Sequence, residues 1–201
     1  MLSRIKKDGY EPLVLNYYEK VNGKLTEKDI PDKFCLFGKD NFHNEEIINY
    51  FFNPFSYLSF EFVLSGCALI PETIFNYTFA FLENKKTRLK SYILKTQDCY
   101  LIYKTIPKTA YFVGLEFIKT SGRKILIATK EKAFLDYIYV SNFKFKTATD
   151  FNKFFNNYRI DHDEFMLLDF NKLEEYGQLY HSRKIDLFIE YLKKGEFNFD
   201  W

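Results

Sequence analysis

The fold is decided by one stretch, Lys124-Ile125-Leu126-Ile127-Ala128-Thr129-Lys130-Glu131-Lys132-Ala133-Phe134-Leu135-Asp136-Tyr137-Ile138-Tyr139. Its first part, residues 125–128, is a continuous apolar run, which is typical of a strand covered on both faces. Thr129 has the side chain of a helix N-cap, because its hydroxyl can accept from free N–H groups of the first turn. Glu131 lies in that turn, where the helix dipole favours an anion. The stretch therefore predicts a buried strand that turns directly into a helix.

The predicted helix carries an apolar face and a pair of opposite charges. The residues that recur at helical spacing and are expected to face inward are Ala133, Phe134, Tyr137 and Ile138. Lys132 and Asp136 stand four positions apart, the spacing of an ordinary ion pair at the surface or rim of a helix. Together with Glu131 they could form a nuclease-like acidic and basic trio. We favour the surface pair and assign the motif to structure.

The rest of the chain alternates between helical and strand periodicity. Apolar and β-forming runs predict strands at 74–81, 89–94, 99–103, 111–118 and 124–128. Helices are predicted from Asn44 to Phe52, after a cap at Ser59, and over 150–158, 171–176 and 182–195, the last stopped by Gly195. Residues 39–201 are therefore expected to form one α+β domain. Its predicted core is a mainly antiparallel sheet of about five strands with flanking helices.

Composition sets broad limits on the class of protein. The chain has 201 residues, of which 47% are hydrophobic and 20% aromatic, so it can bury a sizeable core. A net charge of +2 does not by itself indicate a nucleic-acid binder. Cys35, Cys67 and Cys99 are expected to be buried free thiols in a reducing compartment. Because the chain shows neither a signal core nor a membrane-length apolar run, we expect a soluble cytoplasmic protein without a membrane partner.

Residues 1–38 predict the back half of a winged helix. A helix end stopped at Gly9 is followed by an apolar run at 13–15, a polar stretch, and a second apolar run at 34–37. We therefore expect a truncated or remodelled winged-helix-like segment over 1–38. The alternative is an irregular strand pair without a role in DNA binding.

The sequence offers no recognisable reactive centre. It has no phosphate-cradling Gly-rich loop, no Gly-x-Ser-x-Gly elbow, and no His-x-x-x-His or Cys-x-x-Cys spacing. The densest polar cluster is Asp161-His162-Asp163-Glu164, whose groups could serve a metal or acid–base chemistry. Since adjacent residues rarely converge on one point, we predict a solvated turn with Asp163 as a helix cap. The sequence thus predicts no enzyme, no catalytic residue, no metal site and no cofactor.

Two basic groups are the candidate contacts for a partner or for nucleic acid. They are Arg4, Lys6 and Lys7 near the N-terminus, and Lys85, Lys86, Arg88 and Lys90 before and within one predicted strand. Arg88, Lys90 and Tyr92 alternate with Leu89, Ser91 and Ile93, so they share one face of that strand. Such a face suits phosphates or an acidic protein surface. Solvated surfaces are the alternative for both groups.

The decisive stretch also carries a resemblance to a known family. Residues 127–136, Ile-Ala-Thr-Lys-Glu-Lys-Ala-Phe-Leu-Asp, are similar to the strand-to-helix motif of AbiEi-type antitoxins, which read Ile-Ala-(Ser/Thr)-(Pro/Lys)-Glu-Lys-Ala-(Leu/Phe)-Leu-Asp. The motif positions include Ile127, Ala128, Thr129, Glu131, Lys132 and Asp136. A second match lies upstream, Ser56-Tyr57-Leu58-Ser59 followed by Leu69-Ile70-Pro71-Glu72. The resemblance covers about residues 45–140.

This resemblance implies an antitoxin of a type IV toxin–antitoxin system, which acts in abortive phage infection. Such a protein represses its own operon through an N-terminal DNA-binding winged helix and counteracts a nucleotidyltransferase-like toxin through its C-terminal domain. Residues 1–38 match only the back half of that winged helix. The resemblance therefore implies the toxin partner and leaves the binding of operator DNA open. The alternatives are a stand-alone DNA-binding transcriptional regulator and a nuclease-like enzyme. The sequence leaves the oligomeric state open.

Overall fold

The computed structural model describes residues 56–82, 91–95, 100–120, 123–195 and 197. In this part the strands are β1 (Tyr57–Leu58), β2 (Tyr77–Leu82), β3 (Ser91–Lys95), β4 (Tyr100–Ile106), β5 (Leu115–Thr120) and β6 (Arg123–Ala128). The helices are α1 (Glu61–Gly66), α2 (Lys108–Tyr111), α3 (Lys130–Val140), α4 (Asp150–Asn157), α5 (His162–Met166), α6 (Phe170–Gly177) and α7 (Arg183–Lys194). A short 3-10 helix, Gln178–Tyr180, follows α6.

These strands form one mixed sheet in the order β3-β4-β2-β1-β6-β5. The α+β class is confirmed, but the expectation of mainly antiparallel pairing is only partly right. Neighbours β1–β2, β3–β4 and β5–β6 are antiparallel, whereas β1–β6 and β2–β4 are parallel. The parallel pairs have two origins. Strand β4, and not β3, lies next to β2, and β1 lies between β2 and β6. The two-residue β1 is a strand that periodicity does not reveal.

The decisive stretch folds as predicted. Strand β6 ends at Ala128, which is buried, and α3 begins two residues later. The Thr129 hydroxyl accepts a hydrogen bond from the backbone N–H of Lys132 at 3.3 Å, so Thr129 is the N-cap. Glu131 lies in the first turn as expected. A local signal thus sets the point where strand becomes helix.

The strand predicted over 111–118 is wrong in its first half. The chain forms the short helix α2 after Pro107, and β5 begins only at Leu115. Gly114 separates the two with a left-handed backbone, φ 61°. Its carbonyl accepts from the backbone N–H of Thr129 at 2.8 Å, which holds the turn against the start of α3. Gly114 is therefore a required turn residue inside an otherwise β-forming run.

Two predicted helix caps are also wrong. Ser59 does not cap α1: Phe60 occupies the cap position with φ 57°, and the Ser59 hydroxyl is used elsewhere. Residues 161–164 are not a solvated turn capped by Asp163. Asp161 is the N-cap of α5, because its carboxylate accepts from the backbone N–H of Glu164 at 2.9 Å. The stop at Gly195 after α7 is confirmed by its left-handed φ of 64°.

The helices enclose an aromatic core on one side of α3. The ring of Phe134 lies 5.8 Å from that of Phe155, 5.6 Å from Phe165 and 5.5 Å from Phe188, measured between centroids. These partners come from α4, α5 and α7, so α3 is covered by three later helices. Tilted and edge-to-face contacts of this kind add to the burial of apolar area. At least in this core, the high aromatic content serves packing.

Several predictions fall outside the described residues. They are the winged-helix-like segment 1–38 with its boundary at residue 39, the helix from Asn44 to Phe52, and the basic residues Arg4, Lys6, Lys7, Lys85, Lys86, Arg88 and Lys90. Cys35 and Cys99 also fall there, while Cys67 is a half-buried free thiol. Among the helices that the structure describes, none has the length and apolar character needed to cross a membrane.

Gly114 gives a first prediction. A Cβ at this position would lie 2.8 Å from the Lys132 Cβ and 2.8 Å from a ring carbon of Tyr176. We expect Gly114→Ala to lower the free energy of unfolding by at least about 1–2 kcal/mol, the cost of a left-handed backbone for a residue with a Cβ. The matched control is Gly66→Ala, whose Cβ would meet nothing within 4 Å. Urea unfolding of both variants measures the difference, and equal losses would contradict this role of Gly114.

Candidate functional site

The most unusual group of side chains is a buried polar cluster, which we call the Asp136 cluster: Tyr57, Ser59, Lys132, Asp136 and Tyr180. Four of these residues are 0% exposed and Tyr180 is 2% exposed. The prediction that Lys132 and Asp136 form a surface or rim pair is therefore wrong. They are an ion pair at the predicted spacing, but it lies inside the protein.

The carboxylate of Asp136 accepts hydrogen bonds from four donors. Its Oδ1 accepts from the Lys132 ammonium at 2.5 Å and from the Tyr180 hydroxyl at 2.5 Å. Its Oδ2 accepts from the Tyr57 hydroxyl at 2.9 Å and from the Ser59 hydroxyl at 2.7 Å. An ionised carboxylate has about four acceptor positions, so this one is fully used.

The donors come from three separate elements. Tyr57 belongs to β1 and Ser59 follows it directly, whereas Lys132 and Asp136 are one turn apart on α3. Tyr180 ends the short 3-10 helix after α6. The Lys132 ammonium also lies 2.6 Å from the Tyr180 hydroxyl and 4.7 Å from the centroid of that ring. The cluster therefore joins the sheet, the central helix and the C-terminal helices.

The electrostatics of the Asp136 cluster follow from burial. Burial raises the pKa of Tyr57 and Tyr180 well above the ordinary value, and the negative charge of Asp136 raises it further. Both phenols therefore stay neutral and act as donors. Burial lowers the pKa of Lys132, and the adjacent Asp136 opposes that shift. Since the ammonium and the carboxylate compensate each other, the cluster has little net charge, and solvent does not reach it.

The other motif residues have structural positions as well. Glu131 is buried, and its Oε1 accepts from the backbone N–H of Asp169, the N-cap of α6, at 3.2 Å. Ile127 pairs with Leu58 in the parallel β1–β6 contact. Each motif residue thus holds one element against another. The buried members Glu131, Lys132 and Asp136 can therefore fix positions and resist unfolding.

Sequence reasoning missed three members of the Asp136 cluster. Tyr57 and Ser59 belong to the upstream piece that resembles the same family as the decisive stretch. That shared resemblance was the available signal for a contact between the two pieces. Tyr180 had no signal, because nothing near it in sequence resembles a motif. Within the described residues, no group of three or more His, Cys, Asp or Glu side chains could hold a metal ion.

Comparison with known protein-family models, and with curated protein sequences, gives no match for this chain.

The buried ion pair gives a second prediction. Asp136→Asn leaves the Lys132 ammonium buried without a counter-charge, so we expect the free energy of unfolding to fall by about 3–5 kcal/mol. The matched variant is Lys132→Met with Asp136→Asn, which removes both charges together. We expect this double variant to be more stable than Asp136→Asn alone, giving a favourable coupling in a double-mutant cycle measured by urea unfolding. Equal stabilities would show that the unpaired charge is not the cause of the loss.

The two phenols give a third prediction, at alkaline pH. Their folded-state pKa values are raised, so above about pH 10 the unfolded chain loses protons that the folded chain retains, and stability falls as pH rises. Lys132, whose pKa is lowered, contributes in the opposite direction but is one group against two. We expect Tyr57→Phe or Tyr180→Phe to reduce the downward slope by up to about 1.4 kcal/mol per pH unit. Urea unfolding at several alkaline pH values measures the slope, and an unchanged slope in both variants would argue against the shifts.

Proposed function

We propose that this chain is an antitoxin-like protein of a type IV toxin–antitoxin system, similar to the AbiEi type. The observation that supports this is the contact between the two matching sequence pieces. Tyr57 and Ser59, from the upstream piece, donate to Asp136 of the decisive stretch, and Leu58 pairs with Ile127. Both pieces thus belong to one structural unit, as a shared fold would require.

A second observation favours a binding role over an enzymatic one. The polar side chains of the Asp136 cluster are satisfied by one another and are closed to solvent. A buried network that is fully satisfied makes the core rigid, which is a structural role and not a reactive one. We therefore propose that the protein is not an enzyme and acts in the cytoplasm on a nucleotidyltransferase-like toxin.

The proposed contact surface is the basic segment that leads into β3. Residues 84–97 contain Lys85, Lys86, Arg88, Lys90 and Lys95 and no acidic residue. Strand β3 is at one end of the sheet order among the described strands, and Ile93 within it is 60% exposed. A basic segment that precedes and enters this strand in sequence suits an acidic protein surface or a phosphate backbone. Control of its own transcription through operator DNA is the second part of this proposal.

The fourth prediction tests this surface. Arg88→Glu with Lys90→Glu reverses two charges, so we expect it to abolish rescue of bacterial growth when the protein is co-expressed with the product of its neighbouring reading frame. The control is Lys144→Glu with Lys153→Glu, the same charge change at two exposed lysines elsewhere. It should rescue growth like the unchanged protein. Unfolding curves of both variants check that each is folded.

A gel shift with the protein's own upstream DNA separates the two partners. Phosphate contacts require that the logarithm of affinity falls linearly with the logarithm of salt concentration. DNA binding without growth rescue would favour a stand-alone regulator. Rescue lost in both double variants, or in neither, would reject the basic segment as the contact surface.

A further inference from the structure

A cleft of about 560 Å³ lies between residues 65–73 and residues 155–161. This volume is within the usual range for ligand sites. The Leu69-Ile70-Pro71-Glu72 piece forms part of one wall, and the Asp161 N–H ties the second wall to the first by donating to the Leu69 carbonyl at 2.9 Å. Leu69 and Ile70 are buried, whereas Glu72 is exposed, so packing explains only the first half of that piece.

Each wall of the cleft contains the end of a helix, and the two helices end in the same way. The residue after the helix cap has a left-handed backbone, Ala68 with φ 59° after α1 and Arg159 with φ 50° after α4. The next residues, Leu69 and Ile160, each donate a hydrogen bond back to the last helical turn. Glycine is the usual residue at such a position, because a Cβ is unfavourable there. The carbonyl end of α4, which is eight residues long, adds partial negative charge beside the cleft.

The charged side chains of the cleft are two carboxylates and one guanidinium. Glu72 and Asp161 supply the carboxylates, and the Arg159 Nη1 lies 3.3 Å from the Glu72 Oε1. The side chains of Arg159 and Glu72 are 68% and 44% exposed, so their ion pair contributes little to stability and can be exchanged. The apolar residues of the lining that are exposed are Ala68 and Pro71, whereas Ile70, Phe155 and Ile160 form the buried floor beneath them.

We propose that this cleft binds a guanidinium or ammonium group carried on an apolar stem, and that Glu72 is its main anionic contact. The Arg159 guanidinium on Glu72 is an internal example of the same contact, which the ligand displaces. An anion would depend on Arg159 alone and would lie near the carboxylate of Glu72 and that of Asp161, which also caps α5. The apolar stem packs on Ala68 and Pro71, the exposed apolar residues of the lining. Two sources share this chemistry, an arginine or lysine side chain of a protein segment and a free polyamine. The proposal does not depend on the antitoxin function.

The fifth prediction tests the cleft with defined probes on the full chain. We expect N-acetyl-arginine amide, N-acetyl-lysine amide or spermidine to shift the backbone amide NMR signals of residues 69–73 and 156–161 in low salt. N-acetyl-glutamate amide is the probe of opposite charge. Binding of the amino-acid amides without spermidine assigns the site to a protein side chain, and binding of spermidine without them assigns it to a polyamine. No shift from any cationic probe, or tighter binding of the glutamate probe, overturns the proposal.

Three variants locate the binding. Glu72→Gln should weaken cation binding by about tenfold, as expected for the loss of a charge-assisted contact of about 1.4 kcal/mol. Arg159→Gly removes the internal competitor and places glycine at the left-handed position, so it should tighten cation binding and raise the melting temperature. The matched control is Glu190→Gln, which breaks a comparable exposed pair with Lys194 on α7 and should leave affinity unchanged. If Glu190→Gln weakens binding as much as Glu72→Gln, the cations bind through general surface charge and the proposal is wrong.

Discussion

The carboxylate of Asp136 is the contact on which the rest of the structure depends. Strand β1 has only two residues, yet it occupies the middle of the sheet between β2 and β6. Its ladder alone is too short to hold it there, since strands usually need several residues. The hydroxyls of Tyr57 and Ser59 fix β1 to α3 through Asp136. Two halves of the sheet are thus joined through a helix side chain.

Helix α3 must therefore be buried on nearly every side. Residues 131–138 are all buried, with an aromatic face toward α4, α5 and α7 and the Asp136 cluster toward β1. A helix in this position is normally apolar all round. Here Glu131, Lys132 and Asp136 are tolerated because each has at least one hydrogen-bond partner outside α3, in addition to the pair that Lys132 and Asp136 form within it. The polar groups thereby specify which elements pack together, and the aromatic rings supply the buried area.

The features that sequence predicts correctly are local ones. Thr129 and Gly195 mark a helix start and a helix stop through their own backbone neighbours, so their roles are visible in sequence. The burial of Lys132 with Asp136 is not visible, because a buried pair and a surface pair have the same spacing, and Tyr180 is far away in the chain. Serine is a common helix cap, so sequence predicts a cap at Ser59, but its hydroxyl satisfies Asp136 instead. The parallel strand pairs likewise depend on contacts between distant residues, which periodicity does not contain.

The wide separation of Tyr57 and Tyr180 along the chain determines when the protein can complete its fold during synthesis. The ribosome releases Tyr57 first, and at about 5–20 residues per second it reaches Tyr180 on the order of ten seconds later. Until then Asp136 lacks one of the four donors that it has in the folded protein, although both neighbours of β1, the strands β2 and β6, have already been made. The nascent chain therefore spends this interval with the strands of its sheet made but with the buried Asp136 carboxylate short of one hydrogen bond, which the later helical part of the chain supplies.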